Sequence, residues 1–344
     1  MKPHLTSIND IAKALGVSAS TVSRALKDHP DISEGTRNRI KAFAQKVNYR
    51  PNALALSLKK QVSNTIGIII PEIVHHFFSS IISGIEDVAY SKGYRVMICQ
   101  SNEDFSREEM NVQALMDHRV DGLLVCISKT TEDFSHFKSV YNNQIPMVFL
   151  DRICKEIETD RVITDDFNGA RIITSHLIKT GCKKILHLGT LPQLLIGHDR
   201  QQGYLQALKE NHIDFNPELI ITCDTPVKVD ENRDKILEIA PHIDAIFAVN
   251  DFTAVAVMNL LKNNGFDIPE DIAIAGFGDD PIATMVDPPL TTVEQQGYQM
   301  GQEAMNLLID RLANPEESKQ PDVKIFQVEL RERKSTRQLP FSEK

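Results

Sequence analysis

The sequence predicts an all-α helix-turn-helix head followed by an α/β body made of two doubly wound parallel-sheet subdomains. Three observations lead to this prediction. Two short helical patterns near the N-terminus are joined by a few residues around a glycine, and a third pattern follows them. Short apolar runs then alternate with helical segments in two successive series. The length of 344 residues also suits two or three domains.

The first helix is predicted in the segment SINDIAKAL. Ser7 can cap it, with Asp10 three residues later in the position of a capping box. Its apolar residues recur at the spacing of one buried face: Ile8, Ile11, Ala12 and Leu15. Gly16 suits the left-handed conformation that ends many helices.

The second helix is predicted to begin after Ser18 and to have an outer face that is poor in strong helix formers. Its inner stripe is apolar: Val22, Ala25 and Leu26. Its outer face is small, hydroxylated or cationic: Ala19, Ser20, Ser23 and Arg24. In a helix-turn-helix unit this second helix lies in the DNA major groove, where short donors and acceptors are needed.

The outer face offers the contacts that a groove-reading helix makes. Ser18, Thr21 and Ser23 have hydroxyls that can reach phosphates. Arg24 can bind guanine through two hydrogen bonds, and Ala19 can contact a thymine methyl group. Ser20 is small enough to permit close approach. The alternative is a structural three-helix unit with no role on DNA.

A third helix, capped by Ser33, completes the head, and the charge of this region supports a polyanionic partner. The residues predicted inside are Ile40, Phe43, Ala44 and Val47. Residues 1–60 contain 11 Lys and Arg against 4 Asp and Glu, whereas the rest of the chain contains 27 against 43. A basic head on an acidic body favours double-stranded DNA as a partner, with a solvated basic surface as the alternative.

Other classes of protein are disfavoured by what the sequence lacks. It has no N-terminal signal peptide and no apolar run of about 18 residues, so we expect a cytoplasmic protein without membrane association. Its five cysteines show no CxxC spacing, so we expect reduced thiols and neither a metal nor a cofactor. Motifs typical of hydrolases and nucleotide-binding enzymes are missing, so we expect no enzymatic activity.

The body begins with TIGIIIPEI, an apolar run typical of a strand buried on both faces. Strands and helices alternate from there, and the series restarts at RVITDD. Ligands of open α/β sheets bind at the carboxyl ends of the strands, so the cleft between the two halves is the expected pocket. The strand ends, with the GFGDD loop, offer these candidates: Phe77, Phe78, Asp151, Asp165, Arg200, Asn250 and Asp279.

The segment SINDIAKALGVSASTVSRALKDHPDISEGTRNRI, with YRPNALALSLK after it, resembles the lactose/galactose repressor (LacI/GalR) family of bacterial transcriptional regulators. Later segments are similar to the same family, among them RVDGLLV, DIPEDIAIAGF and DPPLTTVEQ. The resemblance implies a body like a periplasmic binding protein, crossed three times by the chain. It implies this division: a head at 1–48, a hinge at 49–62, a core at 63–344, an N-subdomain at about 63–161 plus 293–323, and a C-subdomain at about 162–292 plus 324–344.

The resemblance also implies a hinge helix that folds on the operator when paired with its twin. Leu58 matches the leucine that wedges into the minor groove in this family. Further DNA contacts are implied at five positions: Ser7, Ser33, Tyr49, Asn52 and Ala55. Leu56 is a departure, because the family often has arginine there.

The same resemblance implies roles in the cleft. Phe77 or Phe78 forms an apolar wall, and hydrogen bonds to ligand hydroxyls or to a charged group come from three residues: Asp151, Arg200 and Asn250. An alternative makes Asp151 and Arg200 an ion pair between the subdomains. Where the family commonly has aspartate after an aromatic residue, this chain has Gly278. Two consequences stay open: the pocket prefers a partly apolar or unusual ligand, or it uses Asp279 with a shifted geometry. Residues 191–197 are apolar where some relatives have polar ligand contacts.

The sequence therefore predicts a homodimeric transcriptional regulator that binds a pseudo-palindromic operator under the control of a small, sugar-like molecule in the cleft. Three alternatives stay open. The regulator can be controlled by a protein partner instead, or the chain can be a solute-binding protein with no role on DNA. A sugar-converting enzyme of the same two-lobed shape is the third, although no paired acid and base residues support it.

Overall fold

The computed structural model describes residues 7–49, 62–191, 193–314 and 320–338. The chain divides into two compact units, residues 1–63 and 64–344, and each is described by itself. The predicted hinge contacts Asn52, Ala55 and Leu58 lie outside the described residues. The hinge helix therefore stays a prediction.

The head contains three helices: α1 (Ile8–Leu15), α2 (Ala19–Ala25) and α3 (Glu34–Lys46). The predicted helix-turn-helix fold is confirmed. Ser7 and Asp10 form a capping box, and Gly16 ends α1 with a φ of 65°. The Ser18 hydroxyl accepts a hydrogen bond from the backbone N–H of Thr21 and so caps α2. The three helices enclose a small apolar core: Ile11, Ala12, Val22, Ala25, Ile40 and Ala44.

The third helix begins where it is predicted to begin, but the cap differs. The Ser33 hydroxyl donates to the hydroxyl of Thr36 over 2.9 Å. It makes no capping hydrogen bond to the backbone of α3. The predicted cap by the Ser33 side chain is therefore wrong.

The first sheet of the body has six strands in the order β11–β5–β4–β3–β1–β2. They are β1 (Thr65–Ile70), β2 (Arg95–Gln100), β3 (Gly122–Val125), β4 (Met147–Leu150), β5 (Asp160–Thr164) and β11 (Val323–Phe326). Helices α4 (His76–Ser91) and α13 (Gly297–Ala313) pack on one face, whereas α5 (Phe105–Asp117) and α6 (Ser135–Asn142) cover the other. We call this sheet with its four helices the first lobe.

The second sheet has four strands in the order β7–β6–β8–β9. They are β6 (Ile185–Gly189), β7 (Ile220–Thr222), β8 (Ala245–Ala248) and β9 (Ala273–Ala275). Helices α7 (Asp166–Lys179) and α8 (Leu195–Glu210) cover one face. The other face is covered by α9 (Pro226–Glu231), α10 (Arg233–Ile239), α11 (Asp251–Lys262) and α12 (Ile282–Met285). We call this sheet with its helices the second lobe.

Both sheets are parallel and covered by helices on both faces, so the predicted doubly wound α/β class is confirmed. A short antiparallel ribbon, β10 (Thr292–Glu294) with β12 (Glu329–Arg331), accompanies them. Helix α13 returns to the first lobe, as the resemblance implies.

Two strands of the first sheet cross the predicted boundaries, because the sequence pattern starts the second half at β5 and the resemblance implies a boundary at residue 323. β5 lies parallel to β4, with Asp160 opposite Val148, and β11 lies parallel to β5. The predicted subdomain boundaries after residues 161 and 323 therefore cut through β5 and β11. The reason is that residues 151–159 form no helix, so the alternation of strand and helix breaks while the sheet continues.

Candidate functional site

The first turn of α2 carries a chain of hydrogen-bonded hydroxyls. Ser18 Oγ lies 2.8 Å from both Ser20 Oγ and Thr21 Oγ1, and it accepts from the Thr21 N–H at 3.1 Å. Ser18 and Ser20 are exposed. Because a hydroxyl both donates and accepts, this group is suited to phosphate oxygens and to base edges.

The rest of the predicted outer face is less uniform. Arg24 is exposed, and its guanidinium lies 4.0 Å from the Asp31 carboxylate, a weak surface contact that leaves its donors available. Ser23 is half-buried, and Ala19 packs partly against the core of the head. The accessible polar groups of α2 are therefore concentrated at its first turn and at Arg24.

Three further predicted DNA contacts also serve the head itself. The Ser7 hydroxyl donates to Asp10 Oδ2 over 2.7 Å within the capping box. Ser33 donates to Thr36, as described above. Tyr49 packs against the core, and burial raises the pKa of its phenol. Sequence alone does not separate these structural uses from contacts with DNA.

A cavity of about 320 Å³ lies between the two lobes, at the carboxyl ends of their strands. These predicted ligand residues line it: Phe77, Phe78, Asp151, Arg200 and Asn250. Phe77 and Phe78 stand in the first turn of α4 with ring centroids 5.5 Å apart. They give the cavity an apolar wall.

Arg200 is buried and bonded within the second lobe. Its Nε donates to Asp166 Oδ1 over 2.7 Å, and its Nη1 donates to the carbonyl oxygen of Val249 over 2.5 Å. Its guanidinium also lies 3.7 Å from the ring centroid of Phe277. The ion pair of Arg200 is thus with Asp166 and not with Asp151, which was the alternative interpretation.

Asp151 ends β4 as a buried carboxylate that is only partly satisfied. Its Oδ1 has no hydrogen-bond partner among the described residues, and its Oδ2 lies 4.0 Å from the Cys126 thiol. Burial raises its pKa, and the positive charges of Arg152 and Arg200 oppose that rise. Asp151 therefore offers an acceptor to a hydroxyl or ammonium group.

Asn250 lines the cavity while it holds the local backbone in place. Its Oδ1 accepts from the Thr253 N–H over 2.8 Å and so caps α11. Its Nδ2 donates to the carbonyl oxygen of Asp224 over 2.8 Å. One N–H of the amide is left for a ligand.

Asp165 and Asp279 are absent from the described residues that line the cavity. The Asp165 carboxylate caps α7, where it accepts from the N–H and the side-chain amide of Asn168. Asp279 has a φ of 55° and forms an ion pair with Arg333 over 2.7 Å. The next residue, Asp280, lines the cavity instead, which corrects the position expected from the GFGDD loop.

Several charged residues of the cavity were missed by the sequence analysis. Arg152 follows β4 and pairs with Glu103 over 2.8 Å. Lys129 follows β3 in the first lobe, and its Nζ lies 3.7 Å from Asp224 Oδ2, which follows β7 in the second lobe. These residues follow the carboxyl ends of strands, as Asp151 does, so the same rule predicts them at the cavity.

Asp251 leads to a prediction on pH and stability. It is fully buried, accepts from Thr292 Oγ1 (2.5 Å) and from the Asp280 N–H (2.8 Å), and burial raises its pKa to about 7 from 3.8. At a pH between these two pKa values, Asp251 holds a proton in the native state that it has released in the unfolded state. The free energy of unfolding should therefore fall as pH rises from about 4 to 7, by up to about 1.4 kcal/mol per pH unit.

The measurement is urea unfolding at several pH values for the wild type and for Asp251→Asn. The variant cannot titrate at this position, so its stability should depend less steeply on pH over the same range. Equal slopes in the two proteins contradict the prediction.

The described residues offer neither a metal site nor a membrane-spanning helix. Across the described ranges, no group of three His, Cys, Asp or Glu residues is placed to hold a metal ion. No helix within those ranges is long and apolar enough to span a membrane.

Two family descriptions match the chain. "Bacterial regulatory proteins, lacI family" matches residues 7–52, and "Periplasmic binding protein-like domain" matches residues 174–336. The HTH-type transcriptional repressor PurR of Vibrio vulnificus (strain CMCP6) is 31% identical over 319 residues, which cover 92% of this chain and 94% of that protein. The ribose operon repressor of Halalkalibacterium halodurans is 33% identical over 309 residues, which cover 90% of this chain and 91% of that protein.

A solved structure is similar to this chain as well. The LacI family transcriptional regulator from Enterococcus faecium, with bound ribose, is similar with a TM-score of 0.71 and 27% identity. The match covers 80% of this chain and 100% of that one.

Proposed function

The chain belongs to the lacI family of bacterial regulatory proteins, and on this premise we propose that it represses transcription from a pseudo-palindromic operator as a homodimer. Helix α2 of each copy lies in a major groove. A carbohydrate-like effector in the cleft controls the affinity for DNA. The observation that carries the proposal is the hydroxyl chain at the start of α2, in which Ser18 and Ser20 are exposed and Thr21 is half-buried. Since the target is DNA, we place the protein in the cytoplasm.

Exposed apolar side chains support the homodimer. Strand β2 is an edge of the first sheet, and its Ile98 is 40% exposed. Met110 on α5 and Tyr90 on α4, the helices that flank this edge, are 64% and 86% exposed. Large exposed apolar side chains near a sheet edge favour an interface, and most homo-oligomers are twofold dimers.

The cavity supports a carbohydrate-like effector. It combines the aromatic wall of Phe77 and Phe78 with hydrogen-bonding groups from both lobes, which is how a polyol is recognised. The regulator from Enterococcus faecium has ribose bound. Because both lobes contact the effector, binding favours one arrangement of the lobes. The expected coupling to DNA affinity is about 1–3 kcal/mol.

The test is to select duplexes from a random pool with the purified full chain, and then to measure the affinity for the selected duplex with and without sugars. We expect an inverted repeat and a change in affinity of about 5- to 150-fold with the correct effector. Selection of no symmetric sequence contradicts the DNA proposal. A symmetric sequence whose affinity no carbohydrate changes contradicts the effector proposal.

Arg24→Ala should weaken binding to the selected duplex by about 1–3 kcal/mol and relax base preference at one position per half-site. The reason is that Arg24 is exposed beside the hydroxyl chain and can bind guanine with two hydrogen bonds. Repeating the selection with the variant measures this. Arg171→Ala, in the second lobe, is the matched control and should select the wild-type sequence. Unchanged preference in Arg24→Ala contradicts the assigned role.

A further inference from the structure

Two carboxylates of the cleft are buried and form no ion pair with any described residue. Asp151 from the first lobe is 5% exposed, and Asp280 from the second lobe is 7% exposed. In each of them Oδ1 has no hydrogen-bond partner among the described residues, and neither carboxylate forms an ion pair there. Both residues line the same cavity. Buried carboxylates are normally paired, because an unpaired buried charge is costly.

The remaining charged groups of the cavity are already matched. Arg152 pairs with Glu103, and Lys129 pairs with Asp224, which also binds Lys228 over 2.9 Å. Glu72 accepts from His75 at 2.7 Å, and Arg200 is held by Asp166. The acceptors left over belong to Asp151 and Asp280. An anionic ligand finds little free positive charge in such a site, whereas a cationic ligand supplies the missing charge.

The GFGDD loop fixes the carboxylate of Asp280 in the cavity. Gly278 has a φ of 135°, a conformation that favours glycine, and Asp279 follows in the left-handed region. These two residues turn the Asp279 side chain to Arg333 and leave the cavity to Asp280.

Hydrogen bonds then hold this backbone. The Asp280 N–H donates to Asp251 Oδ2 over 2.8 Å, and the Asp280 carbonyl accepts from the Ala283 N–H over 2.8 Å. The carboxylate of Asp280 is thus a fixed acceptor on the floor of the second lobe.

The surroundings of Asp280 add negative charge. Asp279 is its acidic neighbour in sequence, and the negative charge of Asp279 acts on it. On the opposite side, His75 and His76 of the first lobe are close enough to act on it electrostatically. Burial raises the pKa of Asp280, and the two imidazoles oppose this rise. A permanent cation at this point relieves the cost of burying the charge.

We propose that the effector carries an ammonium group, as an amino sugar does, and that Asp280 is the residue that selects for it. The inference rests on the proposed function, because it names the chemical class of the effector in the same cleft. Asp151 then accepts hydroxyl hydrogen bonds from the other side of the ligand. The pocket discriminates against phosphorylated and acidic sugars.

The test is calorimetric titration of the full chain at pH 7 with matched probes. D-glucosamine and D-galactosamine are compared with D-glucose, D-galactose, N-acetyl-D-glucosamine and D-glucose 6-phosphate, and each hexose set is repeated with pentoses and their 2-amino forms. The amino form of at least one sugar should bind about 10- to 100-fold more tightly than its neutral form. Asp280→Asn should reduce that ratio to about 2-fold or less. Asp279→Asn, which alters the carboxylate outside the cavity, should keep the ratio.

The proposal is overturned if no amino sugar binds, if a neutral or phosphorylated form binds most tightly, or if Asp280→Asn keeps the preference. Thermal unfolding of both variants establishes that they are folded. Tight binding of a neutral sugar that also changes operator affinity overturns this inference while the proposed function stands. Loss of symmetric DNA selection overturns the proposed function whichever sugar binds.

Discussion

Replacing Arg200 with alanine is expected to lower the free energy of unfolding by about 3–5 kcal/mol. Asp166 loses its ion-pair partner at 2.7 Å while its carboxylate stays buried, and the carbonyl of Val249 loses its donor. The contact with the ring of Phe277 disappears as well. Urea unfolding at pH 7 measures the loss. The same variant should not respond to effectors, because Arg200 lines the cleft and shapes its floor.

Arg171→Ala is the matched control for this prediction. Arg171 also pairs with a carboxylate, that of Glu210 at 3.3 Å, but more than a third of each side chain is exposed. Water and salt screen this pair, so its loss should cost no more than about 1 kcal/mol. Equal losses in the two variants contradict the argument that burial makes the Arg200 pair important. A double variant Arg200→Met with Asp166→Leu should recover much of the stability, because no unpaired charge is then left.

The head was predictable because local rules determine it. Ser7 with Asp10 marks the start of α1, Gly16 marks its end, and Ser18 marks the start of α2. Each of these signals acts within four residues, and nothing distant in the chain competes with it. Even here, the predicted cap by the Ser33 side chain is not formed, and its hydroxyl donates to Thr36.

The placement of β5 and β11 was not predictable in the same way. β5 pairs with the neighbouring strand β4, whereas β11 is an edge strand that pairs with β5 from far away in sequence, with Val323 opposite Arg161. Periodicity reports that a segment is a strand, but it does not report which sheet the strand joins. A break in the alternation of strand and helix was therefore read as the start of a new half.

The cleft was predictable in position and less so in detail. Strand ends placed Asp151 and Asn250 at the cavity, because the carboxyl ends of parallel strands meet at one edge of a sheet. The exchange of Asp279 for Asp280 depends on the φ angles of 135° at Gly278 and 55° at Asp279. Such angles turn a side chain to the other side of a loop, and a motif alone does not contain them.

Contacts across the cleft join the two lobes, and their residues also line the cavity. The ion pair of Lys129 with Asp224 and the ring contact of His75 with Phe252, at 5.2 Å, both span it. These contacts come from residues that line the cavity, so ligand binding and lobe closure share one set of groups. On the proposed function, we therefore expect an effector in the cleft to change how the two lobes contact each other.

Ser20→Glu is expected to weaken binding to the selected duplex by several kcal/mol, which is about 100-fold or more. Ser20 is exposed in the first turn of α2, and its hydroxyl bonds to Ser18 at the centre of the proposed DNA surface. A carboxylate at this point faces the phosphates and base edges of the groove. The fold should not suffer, because a negative charge near a helix N-terminus stabilises the helix by about 0.3–1 kcal/mol. Fluorescence anisotropy at one fixed salt concentration measures the affinity.

Ser20→Gln separates charge from size, because glutamine has nearly the same shape as glutamate and no charge. It should lose much less affinity than Ser20→Glu, and raising the salt concentration should narrow the difference, since screening weakens the repulsion between the carboxylate and the phosphates. The midpoint temperature of thermal unfolding should be equal in the glutamate variant and the wild type, or slightly higher in the variant. If the affinity of Ser20→Glu for the duplex is within about threefold of the wild-type affinity, the start of α2 does not face DNA. A carboxylate held against the phosphates would weaken binding by more than this.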